Sequence, residues 1–463
     1  MMKSDLGLLS RDSSISAVPT NSVVMPLENA NAAYNSDLTM FFTGLREPEL
    51  QNPEVPTNVD TLGLPTTESR AALIKHYLHS VLPTQFPFAD RSIKDFMSTT
   101  IQSSQAARDA ACLLSIVHMH YTRRSPVNFN AVNSIYRQLH TNLFTGRRTY
   151  TEADAIAGLH VVTSFRFSGG RGEWEVWLDV ARQFALNVLD DPNVSGPKEA
   201  LRRCRESTRF IIKTTIWLEV LASITTQEVP RFLEHLRVLF DSAAPEISML
   251  PVVGCEDQIV LAIAEISNLA QNRLRQGTLL VPDFVRRGVL IEKLFERGLD
   301  EPETLAHPMS GRSWTGSRNQ DEIDAIERRL RNNILRASAK VYLRTVLPEN
   351  LLGLGPGIAG ALTEMIEVLQ DVLKQPLNGS VLGSAAFGVC LSGCHTDDPA
   401  QRAFLLHVLE MQQEEPVSSI REVSRLLQQV WQRRDHDAEL GRSTPGNWRA
   451  IMREGHNDAI LLV

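Results

Sequence analysis

Residues 361–376 read Ala-Leu-Thr-Glu-Met-Ile-Glu-Val-Leu-Gln-Asp-Val-Leu-Lys-Gln-Pro. Leu362, Met365, Ile366, Leu369, Val372 and Leu373 recur every three to four positions, which on a 3.6-residue turn gathers them into one apolar stripe. Lys374 falls in the last turn and Pro376 just beyond, so the stretch carries its own stop signal. The same grammar repeats on either side. In Asp398-Pro399-Ala400-Gln401 the Asp can cap, the Pro takes the first helical position, and Phe404, Leu405, Val408 and Leu409 follow. Ser419 and Glu422 have the spacing of a capping box ahead of Val423, Leu426, Leu427, Val430 and Trp431. Residues 256–270, with Ile259, Val260, Leu261, Ile263, Ile266 and Leu269, are apolar almost all round, as for a helix buried on every side. Near the front, Leu73, Ile74, Tyr77, Leu78, Val81 and Leu82 form a stripe that Pro83 should end. No region alternates with a period of two between hairpin turns, and Thr278–Val281 is too short to build a sheet. The predicted class is therefore all-α: a large array of antiparallel helix pairs over 66–463, with Gly298–Arg318 as an exposed loop.

The chain has 463 residues, 43% hydrophobic and 22% charged, which suits a folded body with a sizeable core. Its charge is uneven. Residues 1–65 hold three basic side chains against eight acidic ones, so the remaining 398 residues carry only −2 of the net −7. With six prolines as well, 1–65 reads as a disordered acidic arm. Within it Asp37-Leu38-Thr39-Met40-Phe41-Phe42 sets aromatics among acids, a composition shared by segments that dock into apolar grooves and by plain linkers. An acidic chain is a poor coat for nucleic acid or anionic lipid. No run of about 18 apolar residues suggests a membrane span, and the start does not read as a signal peptide. Five scattered cysteines (Cys112, Cys204, Cys255, Cys390, Cys394) fit no disulfide framework, so the expected setting is a reducing, intracellular one.

The candidate constellations each meet a plainer explanation. Cys390, Cys394 and His395 group three donors that zinc accepts, but a fourth is missing nearby and the neighbours Gly383, Ala385, Ala386 and Gly388 read as core. His395-Thr396-Asp397-Asp398 is explained by the helix cap at Asp398. His118 and His120 lie on a helical pattern with Leu113, Leu114 and Val117, so the two rings point apart. Ser168-Gly169-Gly170-Arg171-Gly172 lacks the spacing of a phosphate loop and reads as a turn between helices. Glu265, inside an apolar stretch, would be tuned upward if buried alone, and is expected to have a partner or to reach solvent. Arg202, Arg203, Arg205 and Arg209, and Arg328, Arg329 and Arg331, are offset by acids four residues away (Glu199 with Arg203, Arg202 with Glu206, Asp324 with Arg328, Glu327 with Arg331), so they read as solvated ion-paired faces. No residue is singled out as catalytic, as cofactor-binding or as a metal ligand, and no cofactor is expected.

Several stretches in order, Leu73–Phe88, Phe165–Phe184, Thr214–Phe232, Gly254–Arg273, Gln401–Met411, Val430–Asp435 and Trp448–Val463, resemble the helical regulatory region of fungal zinc-cluster transcription factors of the acriflavine-sensitivity-control type. Members of that family usually carry a six-cysteine binuclear zinc cluster ahead of this region. Here no cysteine precedes Cys112, so no zinc-ligand role transfers to any residue. The resemblance implies a nuclear transcriptional regulator of metabolic or secondary-metabolite genes that is not an enzyme. It also implies contact with co-regulators or a DNA-binding partner, a homodimer, and a small-molecule effector. Direct DNA binding by this chain is not expected. A cluster lost from the gene model, a true absence of the cluster, and a helical scaffold recruited as an enzyme or small-molecule-binding protein all stay open on the residues alone.

Overall fold

A computed structural model of the chain describes residues 67–89, 91–123, 129–146, 149–241, 247–276, 281–296, 318–347, 357–375, 380–412, 419–441, 447–454 and 458–462. Every regular element among them is helical, so the all-α expectation holds. The arm 1–65 with its segment Asp37–Phe42, and the loop from Gly298 to residue 317, lie outside the described residues.

The apolar stripe at 362–373 lies on helix Ile358–Leu373, which buries Leu362, Met365, Leu369 and Val372. It packs on the long helix Arg318–Val346, which also meets Ala386–His395 and Asp257–Gln276. At the other end of the chain, helix Glu152–Phe167 is sandwiched between Gln105–Arg123 and Trp174–Leu189. Both sides of the sandwich need apolar contact, and the helix buries nearly every residue, from Asp154 to Phe165 without a break. Its start is fixed by a capping box in which Thr151 and Asp154 exchange hydrogen bonds. Helix Glu206–Thr226 touches both groups, packing on Trp174–Leu189 and on Asp257–Gln276. Buried apolar side chains from all of these helices form one continuous cluster.

Three local expectations fail for physical reasons. The first helix does not stop before Pro83. A π-helical turn, Tyr77–Val81, resets the hydrogen-bond ladder, and Pro83 then falls in the first turn of Leu82–Gln85, where its missing N–H costs little. Ser419 and Glu422 form no capping box: Ser419 caps helix Ile420–Glu439 without a side-chain bond, and the Glu422 carboxylate is held by Arg171 instead. Arg202 does not pair with Glu206, because helix Pro197–Arg203 ends at an extended Cys204 and a new helix begins at Glu206, which breaks the four-residue spacing. Arg202 pairs back to Glu199 at 3.3 Å and Glu206 takes Arg209 at 3.2 Å. Glu199 with Arg203, at 2.9 Å, is as expected.

Candidate functional site

The Gly-rich turn 168–172 joins helices Glu152–Phe167 and Trp174–Leu189, as its sequence suggests, and it also receives the chain's last described segment, 458–462. Gly170 has a φ of +81°, and a Cβ there would lie 2.7 Å from the Leu461 carbonyl oxygen. That space lets the Leu461 amide donate to Gly170 O at 2.8 Å. Beside it the Trp174 indole N–H donates to Ala459 O at 3.0 Å, and Ile460, Leu461 and Leu462 are sealed in the core. Arg171, also buried, donates to Glu422 Oε2 at 2.5 Å and to Met452 O at 3.1 Å. One five-residue turn thus ties three distant parts of the C-terminal sequence to the N-terminal helices.

Next to this junction lies a partly enclosed cavity of about 70 Å3. Its walls come from the Thr84–Pro87 turn, helices Glu152–Phe167, Glu206–Thr226 and Arg318–Val346, and the docked segment through Leu462. Phe86, Trp217, Leu218 and Phe387 give it apolar faces, while exposed Thr84 and half-buried Pro87, Gly383 and Ser384 border its opening. Among the described residues two guanidiniums line it, Arg166 and Arg331, and no acidic side chain does. Burial and their mutual repulsion push Arg166 down to about 10. Arg331 is likewise pushed down to about 10 by burial, against the pull of Glu327, and sits over the Phe88 ring at 4.8 Å. Arg166 Nε is buried without a hydrogen-bond partner. The Thr163 hydroxyl donates to Leu159 O, so the Gln85 amide must donate to Thr163, which leaves Gln85 Oε1 buried and unsatisfied. Thr214 Oγ1 is in the same condition. Unsatisfied buried polar atoms each cost about 1–3 kcal/mol, so those around this cavity draw their partners from whatever fills it, water or ligand.

Cys390 and Cys394 lie fully buried on helix Ala386–His395, where burial pushes the Cys394 thiol well up, and burial lowers His395 to about 4. A protonated thiol is a poor ligand and a poor nucleophile. The small residues around them serve packing: a Cβ at Gly388 would overlap Ser338 of the helix crossing it. His118 and His120 diverge on helix Gln105–Arg123, with His118 meeting His76 at 3.1 Å and His120 stacking edge-on to Tyr121. Glu265 does have a partner, receiving both arms of Arg237 at 2.5 and 2.7 Å. Arg331 departs from the solvated face expected of it, because its helix turns that side toward Phe88 and the cavity. Arg166, Gln85 and Thr214 were not singled out from sequence. Gln85 and Thr214 sit on apolar faces as isolated polar residues, which was the signal available. Among the described residues no cluster of donors suits a metal ion, and no helix is long and apolar enough to cross a membrane.

Residues 72–462 match the fungal specific transcription factor domain. The chain is also similar to the pestheic acid cluster transcriptional regulator 3 of Pestalotiopsis fici, at 22% identity over 268 residues, covering 49% of this chain and 47% of that protein. The match thus spans about half the length of that curated relative. No solved structure matches. With the family's domain reaching from the first described helix to the docked C-terminal segment, the chain belongs to the fungal specific transcription factor domain family.

Proposed function

We propose that residues 66–463 form the regulatory body of a nuclear transcriptional regulator that controls a set of metabolic or secondary-metabolite genes, with 1–65 as an acidic arm. The observation that carries this reading is the family match over 72–462, which coincides with the helical body. The relative named as the pestheic acid cluster transcriptional regulator 3 supports the class of target. In this reading the body works through co-regulators, a second copy or a DNA-binding partner, and makes and breaks no bonds itself. Its basic side chains favour that division of labour: the arginines at 199–209 are engaged by Glu199, Glu206 and Glu152, so little uncompensated positive charge is offered to phosphate.

The test is chromatin immunoprecipitation of the tagged chain in its host, paired with a mobility-shift titration of the purified protein. The expected outcome is enrichment at a limited set of promoters with no nanomolar, sequence-dependent binding by the purified chain. A protein that never reaches chromatin would overturn the regulator reading, and tight specific binding in vitro would overturn the division of labour.

A further inference from the structure

We infer that the cavity between Arg166 and Arg331 is a binding site for a small hydroxylated aromatic carboxylate, taken up as an effector. The effector role rests on the regulator reading, whereas the binding itself does not. A guanidinium facing a partly enclosed space with no acid among the described residues of its walls asks for an anion, and the planar fork of arginine matches a carboxylate with two parallel N–H bonds. Arg166 supplies that need: its Nε has no hydrogen-bond partner, and the charge that acts on it is the like charge of Arg331. At roughly 10–15 Å3 per water, a cavity of about 70 Å3 takes the head of a small molecule, with the rest lying along the opening. Inorganic oxyanions suit it less well, because Phe86, Trp217, Leu218 and Phe387 would be left facing a fully hydrated ion. These faces match an aromatic ring. Gln85 Oε1 can accept from a ring hydroxyl and the Thr214 hydroxyl can donate to the carboxylate, which would satisfy both orphaned atoms at once. Because Leu462 closes one wall, an occupant would press on the segment that holds the C-terminal sequence to the Gly-rich turn. Occupancy would thereby reach the surface built by helices Ile420–Glu439 and Trp448–Arg453.

The test uses the full chain and follows thermal melting and isothermal titration with salicylate and 4-hydroxybenzoate as probes, against benzyl alcohol and inorganic phosphate. The expected result is saturable binding and a raised melting temperature with at least one hydroxybenzoate, and neither with benzyl alcohol or phosphate. Arg166→Gln should weaken that binding at least tenfold. Thr214→Val should weaken it severalfold while leaving the free protein as stable as before or more so, which separates loss of the site from loss of the fold. Arg202→Gln, on an exposed face, should bind as the parent does. Equal stabilisation by benzyl alcohol, binding of phosphate alone, silence of both hydroxybenzoates, or unchanged affinity in Arg166→Gln and Thr214→Val would each overturn the assignment. Binding in vitro without promoter occupancy in the cell would leave the site standing and remove the regulator reading, so the two can fail separately.

Discussion

The docking of segment 458–462 on the Gly-rich turn can be measured with one methyl group. In Gly170→Ala the new Cβ meets the Leu461 carbonyl at 2.7 Å on a backbone held at φ +81°. Two costs then add. An alanine in the left-handed region costs roughly 1–2 kcal/mol wherever it sits. The contact also pushes Leu461 away, losing the 2.8 Å amide bond to Gly170, about 1 kcal/mol, and loosening Ile460 or Leu461, of which full exposure would cost about 1.5–3 kcal/mol each. Gly146 isolates the first cost, since it has φ +72° and nothing within 4 Å of an added Cβ. In urea denaturation, Gly146→Ala should lose about 1 kcal/mol and Gly170→Ala about 2–3 kcal/mol more. A chain ending at residue 457 removes the partner, and in that background the two substitutions should cost the same. An excess below about 0.5 kcal/mol in the full chain, or an equal excess in the shortened one, would show that the turn does not hold the C-terminal segment.

Three further outcomes follow from the same geometry. Glu422→Ala strands buried Arg171 and should cost about 3–5 kcal/mol, whereas Arg171→Met with Glu422→Leu should recover most of that loss, and a double-mutant cycle without coupling would refute the pair. His160, locked between Ile156 O and the Tyr77 hydroxyl, is lowered by burial to about 4, so the unfolded chain binds its proton first and stability must fall as pH drops from about 6.5 toward 4. Asp257, raised to about 6 by burial, pulls the opposite way over part of that window, so the readout is the difference between parent and His160→Gln, whose slope should be shallower by up to about 1.4 kcal/mol per pH unit; identical slopes would refute it. Of the five thiols only half-buried Cys204 should label quickly in the native protein, with Cys112, Cys255, Cys390 and Cys394 following the unfolding rate, and fast labelling of Cys394 measured by mass spectrometry would contradict its burial.

The spacing of apolar residues was enough to assign the class. Leu362, Met365, Leu369 and Val372 face inward because a helix brings every third or fourth residue to one side, a rule that acts within a dozen residues and needs no knowledge of the rest of the chain. The all-round apolar run at 259–269 announced its burial in the same way. Local signals were misread where a distant group outbid the local one. Glu422 has the spacing to cap its own helix, yet the buried guanidinium of Arg171, 251 residues away, holds its carboxylate more strongly than a backbone amide would. Pro83 looked like a stop because the π-turn before it leaves no mark in the spacing of side chains. The cavity was illegible for the same reason in a stronger form. Gln85, Arg166, Thr214 and Arg331 each belong to a different helix, and only the packing of those helices sets two guanidiniums and two unsatisfied polar atoms around one space. Periodicity is a property of neighbours along the chain and so is written in the sequence, while a site is a property of neighbours across it and exists only once the helices have packed.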